Sequence, residues 1–261
     1  MDCRTQERRR RSSPSGRRKT TSIPHPRGQL EKTRARSTAK NSYQLDIFTW
    51  NIASLKKRAY VLHGIIKYNS IDVICLQECG VSEEYQPPEL PSFITYNLES
   101  TNSCVLYVKN SLHHILLEDE KTDGLQYHGV KIYFKNSALK FLNIFNLYAP
   151  RNEFNYSELP LCATFQPTFI LGDYNARHTN IGDSEFTNRN GRQLLSLLNK
   201  NDNVQFVGDL EPTHVYGGIL DLCLGFNLDN VRCESYIVKI LPSYMLSDHY
   251  PRLTTVYIDN N

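Results

Sequence analysis

Short apolar runs separated by polar stretches predict an α/β protein. Residues 45–52 alternate apolar and polar positions and are rich in β-forming residues, which predicts a strand that ends near Asn51. Ser54 precedes apolar positions at helical spacing and predicts a capped helix. The next apolar run, residues 71–76, leads to Glu78. A strand, a helix and a strand in this order form a βαβ unit, so we expect Asn51 and Glu78 on one rim of a sheet.

The rest of the chain predicts more strands than helices. Tyr148 ends one strand, which Ala149 and Pro150 close, because proline holds the preceding residue out of a helix. The predicted strands lie within residues 93–108, 115–134, 141–148, 169–171, 204–207, 219–224, 231–240 and 253–258, and a second helix spans residues 191–199.

Asp173 and Asn175 follow the apolar run 169–171, where Gly172 predicts the turn that ends a buried strand. The carboxyl ends of strands are where α/β folds place ligands and chemistry. Alternation puts the two side chains on one face, a carboxylate that can orient water beside a carboxamide that can hold an anion. Gly-Asp-x-Asn is also ordinary turn chemistry, so this stretch alone leaves open a plain strand-ending turn.

Other residues within or beside the predicted strands are also candidates for chemistry. Asp221 lies inside an apolar run, and an unpaired buried charge is costly, so it needs a partner. Asp248 and His249 form a loop pair before the last strand. A loop histidine is most often a surface residue, but a loop Asp-His beside a buried aspartate favours a functional role. Tyr148 either packs under a loop or donates its phenol to a phosphate oxygen. Glu78, taken alone, is most simply a solvated acid at a strand end.

Length and composition limit the class of protein. The 261 residues, 40% of them hydrophobic, suffice for one large domain or two small ones. No apolar run reaches membrane-spanning length and the N-terminus lacks the apolar core of a signal peptide, so we expect a soluble, non-secreted chain. The seven cysteines are scattered without zinc-site spacing, which predicts buried thiols in a reducing compartment.

The formal net charge of +3 combines two parts of opposite sign. Residues 1–40 carry thirteen Lys or Arg and three acids, a balance of +10, whereas the remaining seventeen bases and twenty-four acids leave −7. We therefore predict a disordered basic tail, residues 1–42, and one folded domain, residues 43–259. The tail is either a solvating extension or a segment for nuclear import or phosphate-backbone binding, and the second alternative predicts a nuclear location.

Six short motifs carry a family resemblance, and they occur in the family's order between residues 43 and 258. They are Trp50-Asn51-Ile52, Leu76-Gln77-Glu78, Leu147-Tyr148-Ala149-Pro150, Gly172-Asp173-Tyr174-Asn175-Ala176, Pro212-Thr213-His214 with Leu220-Asp221-Leu222, and Ser247-Asp248-His249-Tyr250-Pro251. Together they resemble the endonuclease/exonuclease/phosphatase superfamily. More narrowly, the chain resembles the endonuclease domain of non-LTR retrotransposons, itself similar to the apurinic endonucleases.

The resemblance implies a four-layer α/β sandwich, in which two mixed β-sheets pack face to face with helices outside, and a metal-dependent site at one rim. It implies that Glu78 holds the metal, that Asn51 bridges the metal and its neighbours, and that Asp248 completes the metal set. Carboxylates and other hard oxygen ligands favour Mg²⁺ or Mn²⁺ over zinc.

The resemblance also implies roles in hydrolysis. Asp173 orients or deprotonates the attacking water, and Tyr148 and Asn175 contact the scissile phosphate. Asp221 pairs with His249, which faces a non-bridging oxygen, and the carboxylate raises the pKa of the imidazole by attraction.

The implied function is a Mg²⁺- or Mn²⁺-dependent endonuclease that hydrolyses DNA phosphodiester bonds by retrotransposon-type target nicking, with DNA as partner and no membrane or organic cofactor. A reverse transcriptase domain normally follows such a domain, and the chain ends just after its last predicted strand. One alternative is an apurinic-site repair endonuclease or a phosphatase of the same fold. The sequences of residues 172–178 and 246–251 resemble retrotransposon endonucleases and argue against this alternative. Another alternative is an inactive relic that only binds nucleic acid. The short stretches at residues 101–103 and 152–168 favour this alternative, and the presence of every polar residue expected at the site argues against it.

Overall fold

The structure is a computed structural model that describes residues 42–98, 104–117, 120–121, 125–135, 137–150, 155–183, 186–209, 211–229, 231–238 and 247–259. The predicted basic tail lies outside these residues apart from Ser42, which opens the first strand one residue before the predicted domain boundary. The shortened stretch at residues 101–103 lies outside them too.

The described residues form thirteen strands and two α-helices. In chain order these are β1 Ser42–Asn51, α1 Leu55–Tyr68, β2 Val73–Gln77, β3 Phe93–Leu98, β4 Cys104–Lys109, β5 His114–Leu116, β6 Glu120–Lys121, β7 Gln126–Tyr133, β8 Phe141–Tyr148, β9 Thr168–Asp173, α2 Arg189–Lys200, β10 Val204–Phe206, β11 Asp221–Phe226, β12 Arg232–Ile237 and β13 Arg252–Asp259. Short 3₁₀ turns at Tyr156–Glu158, Leu161–Thr164 and Thr179–Ile181 complete the described elements.

The strands form two mixed sheets. The first has the order β12-β13-β1-β2-β4-β3, and the second has the order β10-β11-β9-β8-β7-β5 with β6 paired to β7. Strands β1 and β2 run parallel in the first sheet, as do β8 and β9 in the second. Each sheet therefore has one parallel pair at its centre, and each pair sends two carboxyl ends to the same edge.

Three apolar cores separate four layers. The middle core lies between the sheets and includes Leu45 and Val73 from one sheet with Ile144 and Phe169 from the other. A second core joins α1 to the outer face of the first sheet, and a third joins α2 to the outer face of the second sheet. This arrangement confirms the predicted four-layer sandwich.

Two local details differ from the sequence prediction. Ser54 stands at the N-cap position of α1, but its backbone has a φ of 98° and its side chain makes no capping hydrogen bond. Strand β9 continues through Gly172 to Asp173 instead of ending at the glycine. Glycine is required there because φ is 145° and a Cβ would lie 1.9 Å from the carbonyl oxygen of Leu147.

No described helix is long and apolar enough to cross a membrane. Among the described cysteines, Cys75, Cys79, Cys104 and Cys223 are buried free thiols, and Cys162 and Cys233 are partly buried free thiols. This agrees with the predicted buried thiols, while Cys3 lies outside the described residues.

Candidate active site

The site lies where the inner faces of both sheets change from apolar to polar. Side chains on one face recur every second residue, so the inner face that carries Ile47 in β1 carries Asn51 at the strand end. In β9 the same alternation places Asp173 on the inner face that carries Leu171. Asp221 opens β11 directly opposite Asp173 in the antiparallel register. The polar ends of the central strands therefore meet at one rim, above the apolar middle core.

A layer of buried polar side chains forms the floor of the site. The Gln77 amide donates to Thr49 Oγ1 at 3.1 Å and to Asn146 Oδ1 at 2.6 Å. The Asn146 amide donates to the Leu76 carbonyl at 2.9 Å and lies 3.3 Å from His128 Nε2. Burial lowers the pKa of His128 to about 4, so this imidazole is neutral at neutral pH. The floor thus ties the central strands of the two sheets together without adding a charge.

Glu78 receives two side-chain hydrogen bonds on a single oxygen. The Asn51 amide donates to Oε1 at 3.0 Å, and the Tyr148 hydroxyl donates to the same atom at 2.7 Å. Burial and then the Glu78 charge raise the pKa of Tyr148 far above its ordinary value, so the phenol stays a donor. Glu78 itself has a φ of 52°, a conformation that non-glycine residues rarely adopt and that persists only where surrounding contacts enforce it.

Asp173 is almost fully buried and lies beside Asn51 and Asn175. The Asn51 amide donates to Asp173 Oδ2 at 2.9 Å, which places Asn51 between the carboxylates of Glu78 and Asp173. The backbone N–H of Asn175 donates to Asp173 Oδ1 at 2.8 Å, and the Asn175 amide donates to the Ala149 carbonyl at 3.0 Å. Burial, followed by the Asp221 charge, raises the pKa of Asp173 above the usual carboxyl range. A carboxylate with a raised pKa is a better acceptor for the proton of water.

Asp221 has the partner that its burial requires. His249 Nδ1 donates to Asp221 Oδ2 at 2.8 Å, and both side chains are buried. Burial alone would lower the pKa of His249, but the Asp221 charge and hydrogen bond, with Asp173 and Asp248, raise it to about 10. The imidazole therefore carries a positive charge at neutral pH, next to Asp173.

Several hydrogen bonds fix this pair in place. The Oγ1 atom of Thr213 accepts from the backbone N–H groups of Leu220 and Asp221, at 2.9 and 3.0 Å. The Trp50 indole N–H donates to the His249 carbonyl at 2.9 Å. The Ser247 hydroxyl donates to the Asn51 carbonyl at 2.8 Å. The loop that carries His249 is thereby joined to the end of β1.

Asp248 is the most exposed of the predicted site residues. Its side chain is 51% exposed, and its Oδ2 lies 3.4 Å from His214 Nε2. The structure thus brings all eight predicted residues to one rim. It leaves their individual roles in catalysis and metal binding as predictions.

Glu78 and Asp248 offer carboxylate oxygens of the kind that a hard divalent cation takes. Glu78 is half-buried with Oε2 outside the two hydrogen bonds described above, and the carboxylate of Asp248 is open to solvent. Carboxylate oxygens are the ligands that Mg²⁺ and Mn²⁺ prefer. Asp173, Asp221 and His249 also have ligand atoms within 4.8 Å of one another. In that group, however, the His249 nitrogen next to Asp221 carries a proton, which excludes a cation from the same position.

Sequence reasoning missed the residues that support the site. Gln77, Thr213 and His214 lie within quoted motifs, yet no role follows from the motifs themselves. One sequence pattern could have identified Asn146 and His128, since the alternation along each strand places these residues on the inner face.

The fold and the rim together define a class of protein: a four-layer α/β sandwich with carboxylates, amides and a paired histidine at one end of the layer between its sheets. The chain belongs to the endonuclease/exonuclease/phosphatase family, which its sequence matches over residues 48–249. A search of the curated proteins found no significant match.

Solved structures share the fold at low sequence identity. The endonuclease domain of TRAS1, a telomere-specific non-LTR retrotransposon, is 14% identical with a TM-score of 0.62, over 82% of this chain and 98% of that one. The AP endonuclease from Leishmania major is 15% identical with a TM-score of 0.56, over 85% and 89% of the two chains. The catalytic domain of Xenopus laevis APE2 is 18% identical with a TM-score of 0.55, over 83% and 93%. At these identities the likeness establishes the fold alone.

Proposed function

We propose that this protein is a divalent-metal-dependent endonuclease that hydrolyses DNA phosphodiester bonds, by target nicking of the retrotransposon type. The observation that carries the proposal is the contrast between two neighbouring groups. Asp173 is a buried carboxylate whose pKa is raised, and His249 beside it is an imidazole held in its charged form by Asp221. Both pKa values are raised, which makes the carboxylate a stronger base and keeps the imidazole charged, and perturbed groups of this kind cluster at functional sites.

In the proposed reaction, Asp173 accepts a proton from the attacking water as the water oxygen forms its bond to phosphorus. His249, as imidazolium, donates a hydrogen bond to a non-bridging oxygen, where negative charge grows as the bond to the leaving oxygen breaks. The leaving oxygen takes its proton from solvent. Asn51 and the backbone N–H of Asn175 hold the Asp173 carboxylate in a fixed orientation.

Glu78 and Asp248 would hold the divalent cation, with Asn51 between Glu78 and Asp173. When bound, such a cation stabilises the charge on the phosphate oxygens. The hydrogen bonds from Asn51 and Tyr148 hold Glu78 Oε1 in place and thereby orient Glu78 Oε2. The phosphate contacts that the resemblance implies for Tyr148 and Asn175 belong to this proposal as well.

Three observations support DNA as the proposed substrate. The six motifs resemble retrotransposon endonucleases more closely than repair enzymes, and the solved TRAS1 domain shares the fold over nearly its whole length. The basic residues 1–40 add a segment suited to a phosphate backbone.

Purified protein incubated with supercoiled plasmid tests the proposal. We expect conversion to open circles with Mg²⁺ or Mn²⁺ and none with EDTA. Parallel arms with an abasic duplex and with a small phosphoester identify the alternatives. Activity confined to the abasic duplex would make the protein a repair endonuclease, and activity confined to the small ester would make it a phosphatase. A folded protein that cleaves none of them, or one that works only with zinc, would overturn the proposal.

A further inference from the structure

His214 contacts the site, although neither the family resemblance nor the proposed chemistry gives it a role. It lies at the start of a tight turn and forms bridges with Gly218 on one side and His249 on the other. The backbone N–H of Val215 donates to the Asp248 carbonyl at 2.8 Å, and the N–H of Tyr250 donates to the Thr213 carbonyl at 2.7 Å. Backbone bonds therefore hold residues 213–215 against residues 248–250, and a change of the His214 side chain leaves these bonds in place.

The side chain of His214 contacts both Asp248 and His249. Its Nε2 lies 3.4 Å from Asp248 Oδ2. Its ring meets the His249 ring edge-on, with centroids 4.9 Å apart and an interplanar angle of 83°. The side chain is 13% exposed, compared with 51% for Asp248. A well-fixed imidazole thus stands next to a carboxylate on an open loop.

Local hydrogen bonding determines which nitrogen of His214 carries the proton. The backbone N–H of Tyr216 donates to His214 Nδ1 at 3.2 Å, so Nδ1 is the acceptor. In the neutral ring the proton is then on Nε2, which faces Asp248. His214, Asp248 and His249 offer atoms within 4.8 Å of one another, the spacing of a metal site. A nitrogen that carries a proton is no ligand, so in this tautomer His214 makes a polar contact with Asp248 at 3.4 Å and is not a ligand of a metal.

We propose that His214 is a positioning residue that orients the Asp248 carboxylate for the divalent cation. The inference rests on the proposed function, which makes Asp248 a ligand. A half-exposed pair of this kind adds little to folding stability. Its effect is on ligand geometry, because partners that orient a metal ligand are typically worth about 10- to 100-fold in metal affinity or activity. The role therefore predicts weaker metal binding in a protein of unchanged stability.

Two substitutions separate the polar contact with Asp248 from the ring contact with His249. His214→Phe keeps a ring against His249 but removes the N–H donor, whereas His214→Gln keeps an amide donor and removes the ring. His63→Phe is the control, since His63 is an exposed histidine on α1. Calorimetric titration with Mn²⁺, without DNA, measures metal binding directly, and plasmid nicking with increasing Mn²⁺ measures the requirement in turnover.

We expect His214→Phe to raise the Kd for Mn²⁺ about 10-fold or more, and the Mn²⁺ concentration for half-maximal nicking with it. His214→Gln and His63→Phe should stay within about 3-fold of wild type on both measures, and all three variants should melt near the wild-type temperature. The inference is overturned if His214→Phe binds Mn²⁺ as tightly as wild type while wild type binds Mn²⁺ and nicks. It is also overturned if His214→Gln loses affinity as His214→Phe does. A wild-type protein that neither binds Mn²⁺ nor nicks plasmid would overturn the proposed function itself.

Discussion

Replacing Asp221 by Asn tests whether its charge sets the protonation of His249. The carboxylate accepts a hydrogen bond from His249 Nδ1 at 2.8 Å, and it raises the pKa of the imidazole to about 10 against the opposing effect of burial. Asparagine preserves the shape and a hydrogen-bond acceptor but removes the charge. The variant therefore isolates the electrostatic contribution from the packing of the side chain.

The magnitude follows from the change in pKa. Without the Asp221 carboxylate, burial still lowers the pKa of His249 and only the Asp173 and Asp248 charges oppose it, so the pKa falls from about 10 toward its ordinary value of about 6.5. With a pKa of about 6.5, the protonated fraction at pH 8 drops from about 99% to about 3%, so a reaction that needs the imidazolium slows by up to about 30-fold. Asp221 also raises the pKa of Asp173, so its removal lets Asp173 ionise at lower pH. Both limbs of the pH profile should move to lower pH, and the loss at pH 6 should be much smaller than the loss at pH 8.

Initial rates of plasmid nicking between pH 5.5 and 9, at constant ionic strength, measure this profile. An NMR titration of the histidine rings in the same variant reports the pKa of His249 directly. Asp229→Asn is the control, because Asp229 is an exposed aspartate in the turn between β11 and β12 and should leave the profile unchanged. If Asp221→Asn keeps the wild-type profile, with His249 still protonated at pH 8, the electrostatic account of this pair is wrong.

Three further predictions concern stability and binding. Burial lowers the pKa of His128 to about 4, so near pH 5 the unfolded chain binds a proton that the folded chain does not. The free energy of unfolding should therefore fall by about 2 kcal/mol between pH 8 and pH 5 because of this residue. Urea titrations should find that this loss is absent in His128→Gln. Gly172→Ala places a methyl group 1.9 Å from the Leu147 carbonyl oxygen, so it should lower the melting temperature severely or prevent folding, whereas Gly64→Ala, in open space within α1, should stabilise by about 0.5–1 kcal/mol. Deletion of residues 1–40 should weaken DNA binding and flatten its dependence on salt concentration without changing the metal requirement, and an unchanged slope would show that the tail does not contact phosphates.

Local patterns in the sequence predict the strands and several of the residues at their ends, and the family resemblance supplies the four-layer fold and the full set of rim residues. Alternation along β1 and β9 fixes which face carries Asn51 and Asp173, and the parallel pairs send these residues to one edge. The unpaired charge of Asp221 within an apolar run requires a partner, and the structure supplies His249. The order of the motifs then identifies the family.

The contacts beneath and around the rim depend on how distant segments meet, and no local pattern contains that information. Gln77 and Asn146 belong to different sheets and make contact only once the two sheets have packed, whereas His128 faces Asn146 as its partner on the neighbouring strand. His214 reaches Asp248 because a turn brings two stretches of loop together as a short antiparallel bridge. Ser54 fails as a cap because its backbone adopts a φ of 98°, which the sequence does not reveal.

The central claim is that Asp173 accepts the proton of the attacking water in a metal-dependent hydrolysis of DNA. The most direct test is the rate of plasmid nicking by Asp173→Asn and wild type in Mg²⁺, with circular dichroism to establish that both are folded. Asparagine keeps the size of the side chain and its contact with Asn51 but removes the base. We expect nicking to fall by about 10²-fold or more, the scale for a positioned general base. A folded Asp173→Asn protein that nicks plasmid as fast as wild type would contradict the account.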